Sequence, residues 1–154
     1  MNKPLVVVDS NVLVKWYIPE KYSEEATIMR NDYIYDRIRV ITPIYALLEY
    51  ANTLRKYVAR KLITVDDAYE AYSLLIDTRV EYVDITSDYV SEALEYSIKN
   101  NVTVYDAYYI VLAKKNNTYM YTADEKLLNR VRGREPRVKH IKEYIVDRVK
   151  LLEG

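Results

Sequence analysis

The stretch that most constrains this chain is Leu5-Val6-Val7-Val8-Asp9, four apolar residues without alternation and then, at once, a carboxylate. Such a run reads as a strand buried on both faces, the kind found in the middle of a parallel sheet. Ser10 or Asn11 is placed to cap a helix opening at Val12. Open α/β sheets bind ligands just beyond the carboxyl ends of their strands, which is where this spacing sets Asp9.

The rest of the chain alternates in the same way. Helical residues stop near Pro19, and a second helix is expected from Ser23, its cap, to about Tyr35. Arg39 to Thr42 reads as a strand closed by Pro43, a favoured first helical residue. From Pro43 to Lys61 the spacing of Ile44, Leu47, Leu48, Ala51, Leu54 and Val58 predicts an amphipathic helix, with Glu49 on its other side. Thr64 and Asp66 begin a helix with Ala68, Ala71, Tyr72 and Leu75 on its buried stripe. Val80 to Ile85 is a strand candidate, and Thr86 or Ser87 caps a helix ending around Asn100. Asp106 is expected to open the apolar helix Ala107–Ala113, and Asp124 another helix after the strand Tyr119–Thr122. Gly133 and Pro136 break that helix; Val138 to Ile141 is a candidate edge strand, and Ile141, Ile145, Val149 and Leu152 mark a closing helix. Strands alternating with helices predict a parallel sheet covered on both faces.

At 154 residues, 50% hydrophobic and 30% charged, the chain is expected to fold as a single globular domain, 1–154. No apolar run nears the roughly 20 residues of a membrane span, and the N-terminus lacks a signal-peptide pattern, so a cytoplasmic location is the default. Cysteine is absent and His140 is the only histidine, which excludes thiolate metal sites, cysteine nucleophiles and histidine-rich zinc sites. Catalysis would have to come from carboxylates, hydroxyls, amides, lysine or arginine. Eighteen tyrosines and no phenylalanine leave tyrosine to supply most aromatic packing, and base-stacking surface second. Charge sums to zero but is uneven: residues 126–150 hold nine Lys/Arg against Glu135, Glu143 and Asp147, and Arg55, Lys56, Arg60 and Lys61 form a second cluster. Either cluster could meet a polyanion, or be a solvated helix face.

Asp9, Glu49, Asp106 and Asp124 share a context: each lies where an α/β sheet presents residues at a strand end or helix start. Taken singly, Asp106 and Asp124 are ordinary helix caps and Glu49 an ordinary solvated residue. Brought together they could not all stay ionised without a neutralising partner, because neighbouring carboxylates raise one another's pKa. Mg²⁺ or Mn²⁺, hard cations that take oxygen ligands, would serve, and would activate water against a phosphodiester. Ser10, Asn11 and Thr122 would then orient Asp9 and Asp124. His140 reads as a surface or strand-edge residue and Trp16 as core or dimer contact.

With these motifs in order, the chain resembles the PIN-domain ribonucleases, especially the VapC toxins of VapBC toxin–antitoxin pairs. Val7 to Trp16 is similar to the opening of that family, and Glu49 within Pro43–Asn52 to its helix-borne glutamate. Tyr105-Asp106-Ala107 and Thr122-Ala123-Asp124 are similar to its third and fourth acidic motifs, with Tyr108 and Tyr109 standing where the family often has aliphatic residues. The resemblance implies a three-layer α/β/α sandwich around a parallel sheet and Mg²⁺- or Mn²⁺-dependent cleavage of RNA by Asp9, Glu49, Asp106 and Asp124, with Asn11 and Thr122 in support. It also implies a homodimer and a small antitoxin whose tail enters the acidic cleft. Other readings are a stand-alone RNA-processing nuclease, a catalytically silent RNA- or protein-binding module, and an aspartyl-phosphate phosphatase or receiver. The last usually carries a second Asp two positions after its nucleophile, where Asn11 stands here.

Overall fold

The computed structural model describes residues 2–154. Strand β1 (Leu5–Val8) leads to α1 (Ser10–Tyr17) and α2 (Ser23–Ile34), then β2 (Arg39–Pro43), α3 (Tyr45–Ala59), α4 (Val65–Thr78) and β3 (Glu81–Val83). Helices α5 (Ser87–Asn100) and α6 (Val104–Lys115) precede β4 (Tyr119–Thr122), α7 (Glu125–Val131) and β5 (Val138–His140). A single 3-10 turn, Ile141–Glu143, leads into α8 (Tyr144–Glu153).

All strand pairs are parallel, and the five-stranded order is β3-β2-β1-β4-β5. β1 is central, as its unbroken apolar run requires. Val6, Val8, Val40 and Tyr121 face one layer with Trp16, Met29, Leu54 and Leu75, while Val7, Ile41 and Met120 face the other with Tyr109, Ile110 and Leu127. Residues that alternate along β1 therefore enter two different cores, each buried Val contributing about 1.5–3 kcal/mol. The chain steps outward from β1 through β2 to β3, then returns to the opposite side of β1 to lay down β4 and β5. The carboxyl ends of β1 and β4 thus flank the point where strand order reverses, which is where such sheets hold ligands.

The expected α/β/α layering is observed, but several local details differ. Helix α1 begins at Ser10 with Asp9 as its N-cap, and neither Ser10 nor Asn11 caps it. Helix α6 begins at Val104, capped by the Thr103 hydroxyl, so Asp106 lies in its first turn instead of opening it. Thr64 and Asp67 close a reciprocal capping box on α4, and Thr86 caps α5. In α3 the buried stripe is Ala46, Tyr50 and Leu54, and Leu48 is 74% exposed. Tyr50 moves inward because its hydroxyl finds the Ala71 carbonyl at 2.7 Å, so the apolar ring is buried without stranding a polar atom. With two glycines in the chain, left-handed turn positions fall to Tyr22, Asp36, Lys61, Arg79, Asn101 and Asn117 as well as Gly133. Trp16 is core, 1% exposed.

The closing helix is held by a polar clamp more than by its apolar stripe, since Val149 is 52% exposed. Asp32 of α2, buried, accepts from Tyr144 Oη at 2.7 Å and from Arg148 Nε and Nη2 at 2.8 Å each. Arg37 adds a 3.2 Å bond. Burial pushes the Asp32 carboxyl up, but the donors from Arg148, Tyr144 and Arg37 outweigh it and hold it below the ordinary carboxylate value. Among the described residues no helix is long and apolar enough to cross a membrane.

Candidate metal centre

Asp9 is the first residue beyond β1, and its amide still belongs to the sheet, donating to the Tyr121 carbonyl at 3.0 Å. Its carbonyl accepts the Val12 amide, which starts α1, while its side chain makes no cap bond. An Asp at this position ordinarily spends its carboxylate on the helix amides. Here the carboxylate turns into the crevice at the ends of β1 and β4.

Three neighbours hold it there. Thr122 Oγ1, the last residue of β4, donates to Asp9 Oδ2 at 2.8 Å. Asn11 Nδ2 reaches the same Oδ2 and Thr122 Oγ1, both at 3.3 Å, and its Oδ1 accepts the Ala123 amide at 3.0 Å. Ser10 Oγ donates weakly to Asp9 Oδ1 at 3.4 Å. Thr122 Oγ1 also accepts the Asp124 amide at 3.0 Å, so its one proton and both lone pairs are occupied. The three supporting residues expected from sequence all act on Asp9, although as orienting groups and not as helix caps.

Asp124 does cap its helix: Oδ1 accepts the Leu127 amide at 3.1 Å, and Oδ2 makes no hydrogen bond among the described residues. Asp106, half-buried in the first turn of α6, donates its amide to the Thr103 hydroxyl, so Thr103 and not Asp106 caps the helix. Glu49 is half-buried, not solvated, and accepts the Tyr109 hydroxyl at 2.7 Å. Tyr109 was not singled out from sequence as a site residue. Its signal is a hydroxyl three residues after Asp106 inside a helix otherwise apolar from Ala107 to Ala113, a spacing that puts both on one face.

The acids feel one another. Burial pushes the Asp9 carboxyl up to about 7; Thr122 and Asn11 pull it down, and the charges of Asp106 and Glu49 push it further up. Asp106 rises to about 6 through burial, then through Asp124 and Glu49. Burial, with Asp9 and Glu49 nearby, raises the Tyr109 phenol well above its ordinary value, so it remains a donor. The four sequence-predicted acids are thus linked electrostatically at the strand ends, Asp9 to Asp106 and Glu49, and Asp106 to Asp124 and Glu49.

The donor set fits a hard divalent cation: carboxylate oxygens only, two of them raised toward neutrality first by burial and then by neighbouring acids. Among the described residues no three acidic or histidine side chains are drawn close enough to enclose an ion as they stand. An ion held by these acids would complete its shell with waters, as Mg²⁺ does. Mutual repulsion also keeps uncompensated carboxylates apart.

His140 is buried, not superficial. It stands opposite Thr122 in the sheet, its Nδ1 accepts the Lys142 amide at 3.0 Å, and its ring meets Tyr22 edge-on at 4.5 Å. Burial and then Lys142 hold its pKa below the ordinary value, so it is a neutral structural residue. The basic C-terminal stretch is largely used within the chain: Arg130, Arg134, Arg137, Lys139 and Arg148 all bond to Asn, Asp or backbone oxygens. Lys126, Arg132 and Lys142, on or beside α7, make no ion pair among the described residues.

Comparison with known proteins agrees with this architecture. Residues 6–133 match the PIN domain. The chain is 30% identical over 123 residues to Ribonuclease VapC3 of Pyrobaculum aerophilum, covering 79% of this chain and 91% of that protein. The crystal structure of PAE2754 from the same organism superposes with a TM-score of 0.66 at 18% identity, over 98% of this chain and 97% of that one. A toxin–antitoxin complex from Klebsiella pneumoniae gives a TM-score of 0.63 at 14% identity, over 88% and 97%. With residues 6–133 matched and the acidic crevice at the strand ends, this chain belongs to the PIN-domain family.

Proposed function

We propose that the chain is a divalent-metal-dependent endoribonuclease and the toxin of a toxin–antitoxin pair. One observation carries the reading: four acids remote in sequence gather at the β1/β4 crevice, two of them with pKa values lifted to about 7 and about 6. Burying carboxylates beside like charges is unfavourable for folding, whereas a bound cation relieves it. Its kinship with Ribonuclease VapC3 points the chemistry toward RNA.

Asp9, Asp106, Asp124 and Glu49 would hold Mg²⁺ or Mn²⁺. When bound, the ion activates water for attack on the phosphodiester and stabilises the charge that develops. The chain's own residues do the positioning: Thr122 and Asn11 fix the Asp9 carboxylate, and the Thr122 oxygen sets the backbone from which Asp124 projects. Lys126, Arg132 and Lys142, which make no ion pair among the described residues, are candidate contacts for the RNA backbone, giving affinity without sequence preference. A small antitoxin entering the acidic cleft and a homodimer belong to the same reading. Domain extent does too, with residues 1–154 acting as one unit. Asn11 uses its amide on Asp9, Thr122 and Ala123, which leaves no second acid for an aspartyl-phosphate mechanism.

The test is cleavage of RNA by the purified chain in Mg²⁺ or Mn²⁺. Products should vanish with a chelator and in Asp9→Asn. Equal cleavage by Asp9→Asn and Asp124→Asn means the site is elsewhere. Tight RNA binding indifferent to metal, with no products, means a silent binding module.

A further inference from the structure

The Tyr109 hydroxyl joins two parts of the acid cluster that come from different elements. It is fully buried on α6, accepts the Ser10 amide at 3.3 Å and donates to Glu49 Oε1 at 2.7 Å. A phenol has one proton, so with the Ser10 N–H occupying a lone pair the proton is committed to Glu49. The Ser10 amide opens α1 and has no partner within that helix. One oxygen therefore ties the start of α1, next to Asp9, to a carboxylate projecting from α3.

The second buried tyrosine of α6 behaves differently. Tyr108 bonds the Thr86 amide at 3.2 Å, away from any acid, which is packing chemistry. Only at Tyr109 is the acceptor a carboxylate of the cluster. Glu49 has a long side chain and lies close enough to Asp9 and Asp106 to raise the pKa of both. Without a donor, repulsion and side-chain entropy would both turn it toward solvent. With Oε1 held, Oε2 makes no hydrogen bond within the described residues and is left for a ligand.

We propose that Tyr109 is a positioning residue for the metal, its hydroxyl holding Glu49 beside Asp9 so that both carboxylates meet one ion. This rests on the metal-dependent reading above. Groups that orient a metal ligand without touching the ion typically change metal affinity about 10–100-fold when removed. Phenylalanine fills the same space, so Tyr109→Phe removes the donor and leaves α6 packed.

The measurement is Mn²⁺ affinity of the full chain by electron paramagnetic resonance, for the parent, Tyr109→Phe, Glu49→Gln and the double variant, with metal-free thermal melts to verify folding. Tyr109→Phe should bind Mn²⁺ about 10-fold more weakly. With the hydroxyl acting through Glu49 and not through the Ser10 amide beside Asp9, the double variant should bind no more weakly than Glu49→Gln. Parent-like affinity in Tyr109→Phe overturns the inference. So do losses that multiply in the double variant, the signature of an effect through the Ser10 amide or of a general loosening of α6. If the parent itself binds no Mn²⁺, the metal reading fails and takes the inference with it.

Discussion

Thr122 and Asp9 stand 113 residues apart in the chain and share a 2.8 Å hydrogen bond between the ends of adjacent parallel strands. The same oxygen receives the Asp124 amide at 3.0 Å, so one hydroxyl relates the acid of β1 to the acid that follows β4. Hydrogen bonds to charged groups contribute about 1.5–3 kcal/mol, and this one is buried on both sides.

Thr122→Val keeps the shape and removes that hydroxyl. RNA cleavage should fall about 10–100-fold, because Asp9 loses its shortest donor and the Asp124 amide loses its acceptor. Urea unfolding should show a loss of about 1–3 kcal/mol from the stranded Asp124 amide. Full activity in Thr122→Val would mean that Asn11 alone orients Asp9.

Asp9→Asn should separate activity from stability. Asparagine can still accept from Thr122 yet offers no ligand charge, so cleavage should drop at least about 100-fold. Metal-free melting at pH 8 should rise by a few degrees, since a buried carboxylate among like charges is removed. A variant that melts lower than the parent under those conditions contradicts the electrostatics of the cleft.

Stability without metal should fall as pH rises from about 4 to about 7. The Asp9 carboxyl sits at about 7 when folded against 3.8 ordinarily, so in that window the native chain holds the proton and the unfolded chain does not. More protons on the native state means a negative slope of stability with pH, amounting to about 4 kcal/mol across the window and flat above it. Asp106, at about 6, adds the same sign up to its own value. Mn²⁺ must displace these protons, so its affinity should climb between about pH 5 and 7. Urea midpoints at pH 5 to 8 in chelator decide it, and a midpoint that rises with pH refutes it.

Asp32→Ala tests the clamp on α8. Breaking a buried ion pair should cost about 3 kcal/mol, the low end for such losses because Arg148 keeps some access to water. Asp32 lies below its ordinary pKa, so the parent's advantage should persist above about pH 4 and fade as pH falls through the folded value. Urea titrations at pH 7 and pH 3 compare the two. Cleavage at 25 °C should survive, since the clamp joins α2 and α8 and none of the four acids.

Much of the scaffold was legible beforehand because its signals are local. An apolar run ending in Asp9 gave a central strand, Thr64 and Thr86 gave helix starts, and Tyr119–Thr122 gave β4. Most misread features depend on partners far along the chain. Helix α1 starts at Ser10 without the side-chain cap expected of Ser10 or Asn11, while Thr122 claims the Asp9 carboxylate. The start of α6 moved for a local reason, Thr103 capping it three residues before Asp106. Leu48 lies outside because Tyr50 found an acceptor inside, and His140 is buried because β5 packs it against Tyr22. Most cations of the basic C-terminal stretch are committed to intrachain oxygens that charge counting could not foresee.

The sequence by itself determined the alternation of strands and helices, the central place of β1 and the four acids at strand ends and helix starts. Periodicity and capping act over a few residues, so they can be read from the chain. Only the tertiary structure decided that Thr122 and Asn11 hold Asp9, that Tyr109 reaches Glu49, and that Asp9 titrates near neutrality. Those outcomes depend on which groups share a water-poor crevice at distances near 3 Å, where burial and neighbouring charge set the energy of a proton. Separation along the chain carries no record of that.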